Sequence, residues 1–254
     1  MDWLIVLLTS ITMFFAAIVH GIAGFGMAQI GMGIMPLFRS TQSAVIIFSI
    51  LAAISNFRVW LSVREHFKVM EWIKPVVGLI FGMPMGLYLF NQMDERQAKI
   101  AIGIVLLIAV LIIVLGKQTN KISKWFQDTK YRPKWALPIL VGLASGILGG
   151  AVAISGPPMI LYGAFMTSTN IWTNKEMKAV FTAFFGILML YRTISVALTA
   201  NISLALGFEA LITIPAMLLG SWLGIVIFNK ISNKIFNWIV VVLLTINAFI
   251  LLFK

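Results

Sequence analysis

Apolar residues run along this chain in long, almost uninterrupted blocks: 4 to 36, 43 to 63, 73 to 91, 98 to 116, 136 to 166, 178 to 200, 204 to 228 and 235 to 253. A helix on the surface of a soluble domain shows one apolar stripe, whereas a helix surrounded by lipid is apolar on every side. Most of these blocks hold the roughly 20 residues a helix needs to cross the hydrocarbon layer. The pattern predicts an all-α polytopic membrane protein, with eight membrane segments in a single transmembrane domain over residues 1–254.

The first block is too long for one ordinary crossing. As a single helix, residues 4 to 36 would measure about 50 Å against about 30 Å of hydrocarbon. The run His20-Gly21-Ile22-Ala23-Gly24-Phe25-Gly26 interrupts this block, and Ser145-Gly146-Ile147-Leu148-Gly149-Gly150 interrupts the block from 136 to 166. Splitting each block there gives two glycine-broken re-entrant hairpins. Broken backbone at membrane depth is tolerated where it lines a cavity or meets a ligand.

The two halves of the chain correspond. Gly21-Ile22-x-Gly24 recurs as Gly146-Ile147-x-Gly149, and Gly82-x-x-x-Gly86-x-x-x-Phe90-Asn91 recurs as Gly220-x-x-x-Gly224-x-x-x-Phe228-Asn229. Ala44-Val45 matches Ala179-Val180, and Arg58 falls opposite Arg192. The shared order predicts two four-segment repeats, 1–116 and 135–254, joined by a linker over 117–134. A hairpin returns the chain to its starting face, so each repeat makes three full crossings and the second copy is inverted.

Loop charges agree with that topology, because Lys and Arg in short loops favour the cytoplasm. The hairpin arrangement gathers thirteen basic residues, Lys178 among them, on the linker's face and leaves Arg39, Arg96, Lys99 and Lys254 opposite. Eight straight crossings would divide the same residues ten to seven. The expected topology has a cytoplasmic linker and both termini outside.

Composition narrows the function. The chain is 61% hydrophobic and 11% charged, with a mean hydropathy of +1.02 and a net charge of +11. The basic residues sit in loops, with no basic face or aromatic stacking motif, so they read as topology signals and not as a nucleic-acid surface. Six of them lie in the linker with Trp125 and Phe126, which fits an anionic cytoplasmic lipid surface. The absence of cysteine excludes disulfides and thiolate metal sites. Met1-Asp2-Trp3 lacks a basic leader, so the first segment reads as retained and not as a cleaved signal peptide.

A half-helix that starts after a glycine break offers free N–H groups and a positive dipole end, which together cradle an anion. The candidate donors are Gly24, Phe25 and Gly26 in the first copy and Gly149, Gly150 and Ala151 in the second, with Gly21 at the edge of the first break and Ser145 at the edge of the second. Close helix packing is the competing explanation for these glycines, and it accounts better for Gly82, Gly86, Gly220 and Gly224. Ser155-Gly156-Pro157-Pro158 adds a hydroxyl and prolines, and Gln29 adds an amide. Arg192 lies deep in its segment and is the leading side-chain anion ligand, with snorkelling to the interface as the alternative. Arg58 lies nearer an end, where snorkelling is the better reading, although Ser55 and Asn56 make its stretch a reasonable cavity wall. His20 is either a ligand donor, a proton carrier or a satisfied buried histidine.

Catalytic signatures are missing from the chain. There is no H-E-x-x-H, P-loop or G-x-S-x-G, and no cofactor motif. Leu143-Ala144-Ser145-Gly146 resembles an intramembrane serine protease only faintly, because the leading glycine is absent and no histidine follows Ser145.

Gly21, Gly24, Phe25 and Gly26, with Ser145-Gly146, Gly149-Gly150, Gly156-Pro157, and Ala179 with Thr182, resemble the sulfite exporter TauE/SafE family of membrane permeases, and the segment order and duplication extend the resemblance over nearly the whole chain. The resemblance implies transport of small sulfur-containing anions such as sulfite or organosulfonates, often outward, through a site between the repeats. It makes the breaks at Gly21 to Gly26 and Gly146 to Gly150 the substrate region. Arg192 is not carried over from the family's motifs, so its role rests on the charge argument alone.

The expectation is a secondary transporter, not an enzyme, that works by alternating access at a mid-membrane site in a bacterial inner membrane. An anion channel is the nearest alternative and an intramembrane hydrolase the more distant one. Its partners are a small anion and the lipid bilayer. A coupling proton or cation is not identified by the residues, since Glu209 lies near a segment end, and the oligomeric state stays open.

Overall fold

The computed structural model describes residues 2–115, 133–199 and 204–227. Every regular element among them is helical: α1 (Trp3–Ala23), α2 (Met27–Ile34), α3 (Thr41–Leu61), α4 (Val69–Gln92), α5 (Glu95–Leu115), α6 (Ala136–Val152), α7 (Gly156–Ser168), α8 (Asn174–Thr199) and α9 (Leu204–Ile227), with 3-10 turns at Met35–Leu37 and Arg64–His66. Five of them, α1, α3, α4, α8 and α9, are long and apolar enough to cross a membrane. The last expected segment at 235 to 253, the Phe228-Asn229 end of the second glycine motif and most of the 117–134 linker lie outside the described residues.

Helix starts are fixed by local side chains. Asp2 Oδ1 accepts the Leu4 N–H at 2.9 Å, and Asp94 and Gln97 bond reciprocally to each other's backbone N–H at the start of α5. Thr173 and Glu176 make the same reciprocal pair at the start of α8. Each satisfies donors that the first helical turn leaves without acceptors. Glu95 reaches from α5 to bond the Thr41 N–H at 2.9 Å, tying the start of α3 to its neighbour.

Glycines set how closely the helices approach. α4 lies along α6, α1 along α9, and α3 against α8. At the first contact, a Cβ on Gly82 would strike the Leu143 carbonyl and one on Gly86 would strike that of Ile147. At the second, Gly220 and Gly224 meet the Phe14 and Ile18 carbonyls, and Gly21 lies against Ser221 and Gly224. In lipid, where apolar burial between helices contributes little, backbone-to-backbone approach of this kind is a main source of attraction.

The centre is filled by Met13, Ile47, Phe48, Leu51, Phe181, Phe184, Leu188 and Met217, all close to zero exposure. Large apolar side chains face outward instead on Trp3, Leu7, Phe15, Phe81, Tyr88, Leu204 and Phe208. An outer surface this apolar suits a lipid solvent.

Candidate functional site

Two interruptions of helical geometry face each other across the centre. α1 ends at Gly24, which adopts φ 77° and ψ 4° and returns its N–H to the His20 carbonyl at 2.7 Å. Gly26, at φ 94°, then opens α2. Both angles lie in the left-handed region that favours glycine. This first break falls where the glycine pattern places it.

The second break does not. Ser145, Gly149, Gly150 and Ala151 all lie inside α6, which continues to Val152 and ends on Ala153 in a left-handed conformation, φ 59°. The N–H groups expected to be free at Gly149, Gly150 and Ala151 belong to a helix C-terminal turn, which presents carbonyls instead. Helical geometry persists through these glycines because neighbouring helices fit against them: Gly146 abuts Leu79 and Met83, and Gly150 abuts Gly86. α7 starts at Gly156, where Pro157 and Pro158 occupy first-turn positions that need no N–H.

Between the breaks lies a cavity of about 20 Å³. It is lined by His20, Phe25, Gly26, Met27, Ala28, Gln29, Phe48, Ala52, Asn56, Ser155, Gly156, Phe185 and Met189. The start of α2 therefore opens onto it, and its first internal bond, Ile30 N–H to the Gly26 carbonyl at 3.2 Å, leaves the N–H groups of Met27, Ala28 and Gln29 without intrahelical acceptors. The start of α7 contributes Ser155 and Gly156, and the Gln29 amide fills the space that a Cβ on Gly156 would need.

His20 joins α1 to α3. Its Nε2 lies 3.0 Å from Asn56 Oδ1 and its Nδ1 lies 2.9 Å from Ser55 Oγ. Asn56 Nδ2 donates to the Ala52 carbonyl at 2.8 Å, which fixes the amide with Oδ1 towards the ring. Nε2 therefore carries the proton and donates to Asn56. In the neutral ring Nδ1 accepts from the Ser55 hydroxyl.

Of the residues singled out from sequence, His20, Phe25, Gly26, Gln29, Asn56, Ser155 and Gly156 line the cavity, whereas Gly21, Gly24, Arg58, Ser145, Gly149, Gly150, Ala151 and Arg192 do not. Arg58 is half-buried in the last turn of α3. Arg192 is fully buried, but its Nη1 donates to the Gly149 and Gly150 carbonyls and its guanidinium stacks 5.0 Å from the Phe90 ring. It caps the negative end of α6 instead of entering the cavity.

Sequence reasoning missed Lys178. Counted there as a loop charge, it is 2% exposed within α8 and its Nζ donates to the Gly21 carbonyl at 2.6 Å. It also missed a buried ion pair between Arg39, which precedes α3, and Glu209 of α9. The apolar lining residues Met27, Phe48, Phe185 and Met189 carried no signal that separated them from core.

No curated protein and no solved structure matches the chain. The family model described as sulfite exporter TauE/SafE matches residues 9–251. With helices able to span a membrane and a match over nearly its whole length, the chain belongs to the sulfite exporter TauE/SafE family of membrane transporters.

Proposed function

We propose that this protein is a secondary transporter that exports a small sulfur-containing anion, sulfite or an organosulfonate, by alternating access at the cavity between the two helix breaks. The observation that carries the reading is the convergence of the α2 and α7 starts on one cavity whose polar side chains are His20, Gln29, Asn56 and Ser155, with no carboxylate in its lining. The free N–H groups at the start of α2, the positive dipole end of α7, amide groups and a hydroxyl replace the hydration of an anion at little reorganisation. The apolar remainder, Phe25, Phe48, Phe185 and the methionines, disfavours leakage of water.

Two inverted repeats underlie this architecture in our reading, each opening with a re-entrant pair, α1–α2 and α6–α7. Reciprocal contacts support the correspondence: α1 lies along α9 just as its counterpart α6 lies along α4, while α3 meets its own counterpart α8. The proposed setting is a bacterial inner membrane with both termini outside. A cavity of about 20 Å³ has room for about one water, so an anion enters only when the surrounding helices separate. That requirement favours a carrier over an open channel.

Purified protein in liposomes, assayed with labelled sulfite, sulfoacetate, taurine and sulfate, tests the proposal. Saturable uptake accelerated by unlabelled anion on the opposite side supports it. Flux that is absent for every anion, or that never saturates, refutes it.

A further inference from the structure

Lys178 is a charged side chain that the site described above does not use. Its stem runs beneath the first break: a Cβ added to Gly24 would fall 2.7 Å from Lys178 Cγ. Its ammonium ends on the carbonyl of Gly21, a neutral acceptor next in sequence to the cavity residue His20. One helical turn further along α8, Phe181 packs edge-on against the cavity residue Phe25, with centroids 6.0 Å apart. The lysine is thus fixed behind the cavity wall by contacts at both ends of its side chain.

Burying an ammonium in a membrane protein is costly, and such groups are retained where they act on a charged ligand or on each other. The cavity lining holds no Asp, Glu, Lys or Arg. Backbone N–H groups and amides recognise the oxygens of an anion but respond weakly to its total charge. A full positive charge behind the wall, in a medium of low dielectric, responds to it strongly.

We infer that Lys178 is the charge-selecting residue of the cavity: held against the Gly21 carbonyl beside His20, its ammonium supplies the countercharge for the bound anion from behind the lining. This inference rests on the transporter reading and adds a residue to it. It makes Lys178 a determinant of specificity that acts through space. The preferred ligand class is an anion whose affinity rises with each negative charge.

The test uses the full chain in liposomes with two labelled probes of different charge, methanesulfonate as a monoanion and sulfoacetate as a dianion. Lys178→Met keeps the length and apolar stem that pack under Gly24 while removing the charge. It is expected to raise KM about tenfold for methanesulfonate and by several times more for sulfoacetate, with kcat changing much less. Lys178→Arg, which retains the charge, is expected to keep the wild-type ratio of the two KM values. A merely structural role would raise both KM values alike or lower kcat alone, and either result overturns the inference. If Lys178→Met does not accumulate, the Arg variant decides: an altered KM ratio with the charge present overturns it. Wild-type protein without saturable flux of either probe would instead refute the transporter reading itself.

Discussion

Arg39 and Glu209 form a buried, two-pronged ion pair between the segment entering α3 and the first turns of α9. Nη1 meets Oε1 at 2.6 Å and Nη2 meets Oε2 at 3.1 Å, with side chains only 5% and 7% exposed. Thr9 of α1 adds bonds of 3.1 Å to both partners, and Ser43 accepts from Arg39 Nε. Glu209→Gln leaves a buried guanidinium without its countercharge, so the variant should lose about 3–5 kcal/mol of stability. Thermal unfolding in detergent measures this, and an unchanged midpoint would contradict it.

Lys68 and Glu176 pair at 2.7 Å between the start of α4 and the start of α8, but their side chains are 43% and 18% exposed. Water and salt screen such a pair. Lys68→Ala should therefore alter stability by less than about 1 kcal/mol, and the small effect should fade further in high salt.

Gly82 and Gly207 separate two roles of glycine. Gly82 faces the Leu143 carbonyl, whereas a Cβ on Gly207 would meet nothing within 4 Å. Gly82→Leu should push α4 away from α6 and sharply reduce the yield of folded protein in gel filtration. Gly207→Ala should leave yield intact and raise the unfolding midpoint slightly, by up to about 1 kcal/mol of stability.

Ala153 holds φ 59°, a left-handed angle at a residue with a Cβ. Ala153→Gly should relieve that strain and, after the added freedom of the unfolded chain is counted, stabilise the protein by up to about 1 kcal/mol. A lowered midpoint in the same melts would show that the Cβ makes a compensating contact.

Among the described residues, the helical blocks and the end of α1 at Gly24 were legible because lipid-facing helices and left-handed glycines leave plain marks in composition. The second break was misplaced for a physical reason. Gly146, Gly149 and Gly150 serve helix contact, with Gly149 against Leu188, while the turn itself falls on Ala153, a residue with no turn signature. The paired prolines after Gly156 were the better marker, since proline suits the first turn of a helix. Charge was harder still. Lys178 reads in sequence as a loop charge and Arg192 as a cation deep in its segment, and only the fold shows a lysine held at Gly21 and an arginine held at Gly149 and Gly150.

Those two cations sit fourteen residues apart on α8, about 21 Å along its axis, and each grips the tail of a different broken helix, α1 or α6. One helix thus ties the ends of both interrupted helices together through two buried side chains.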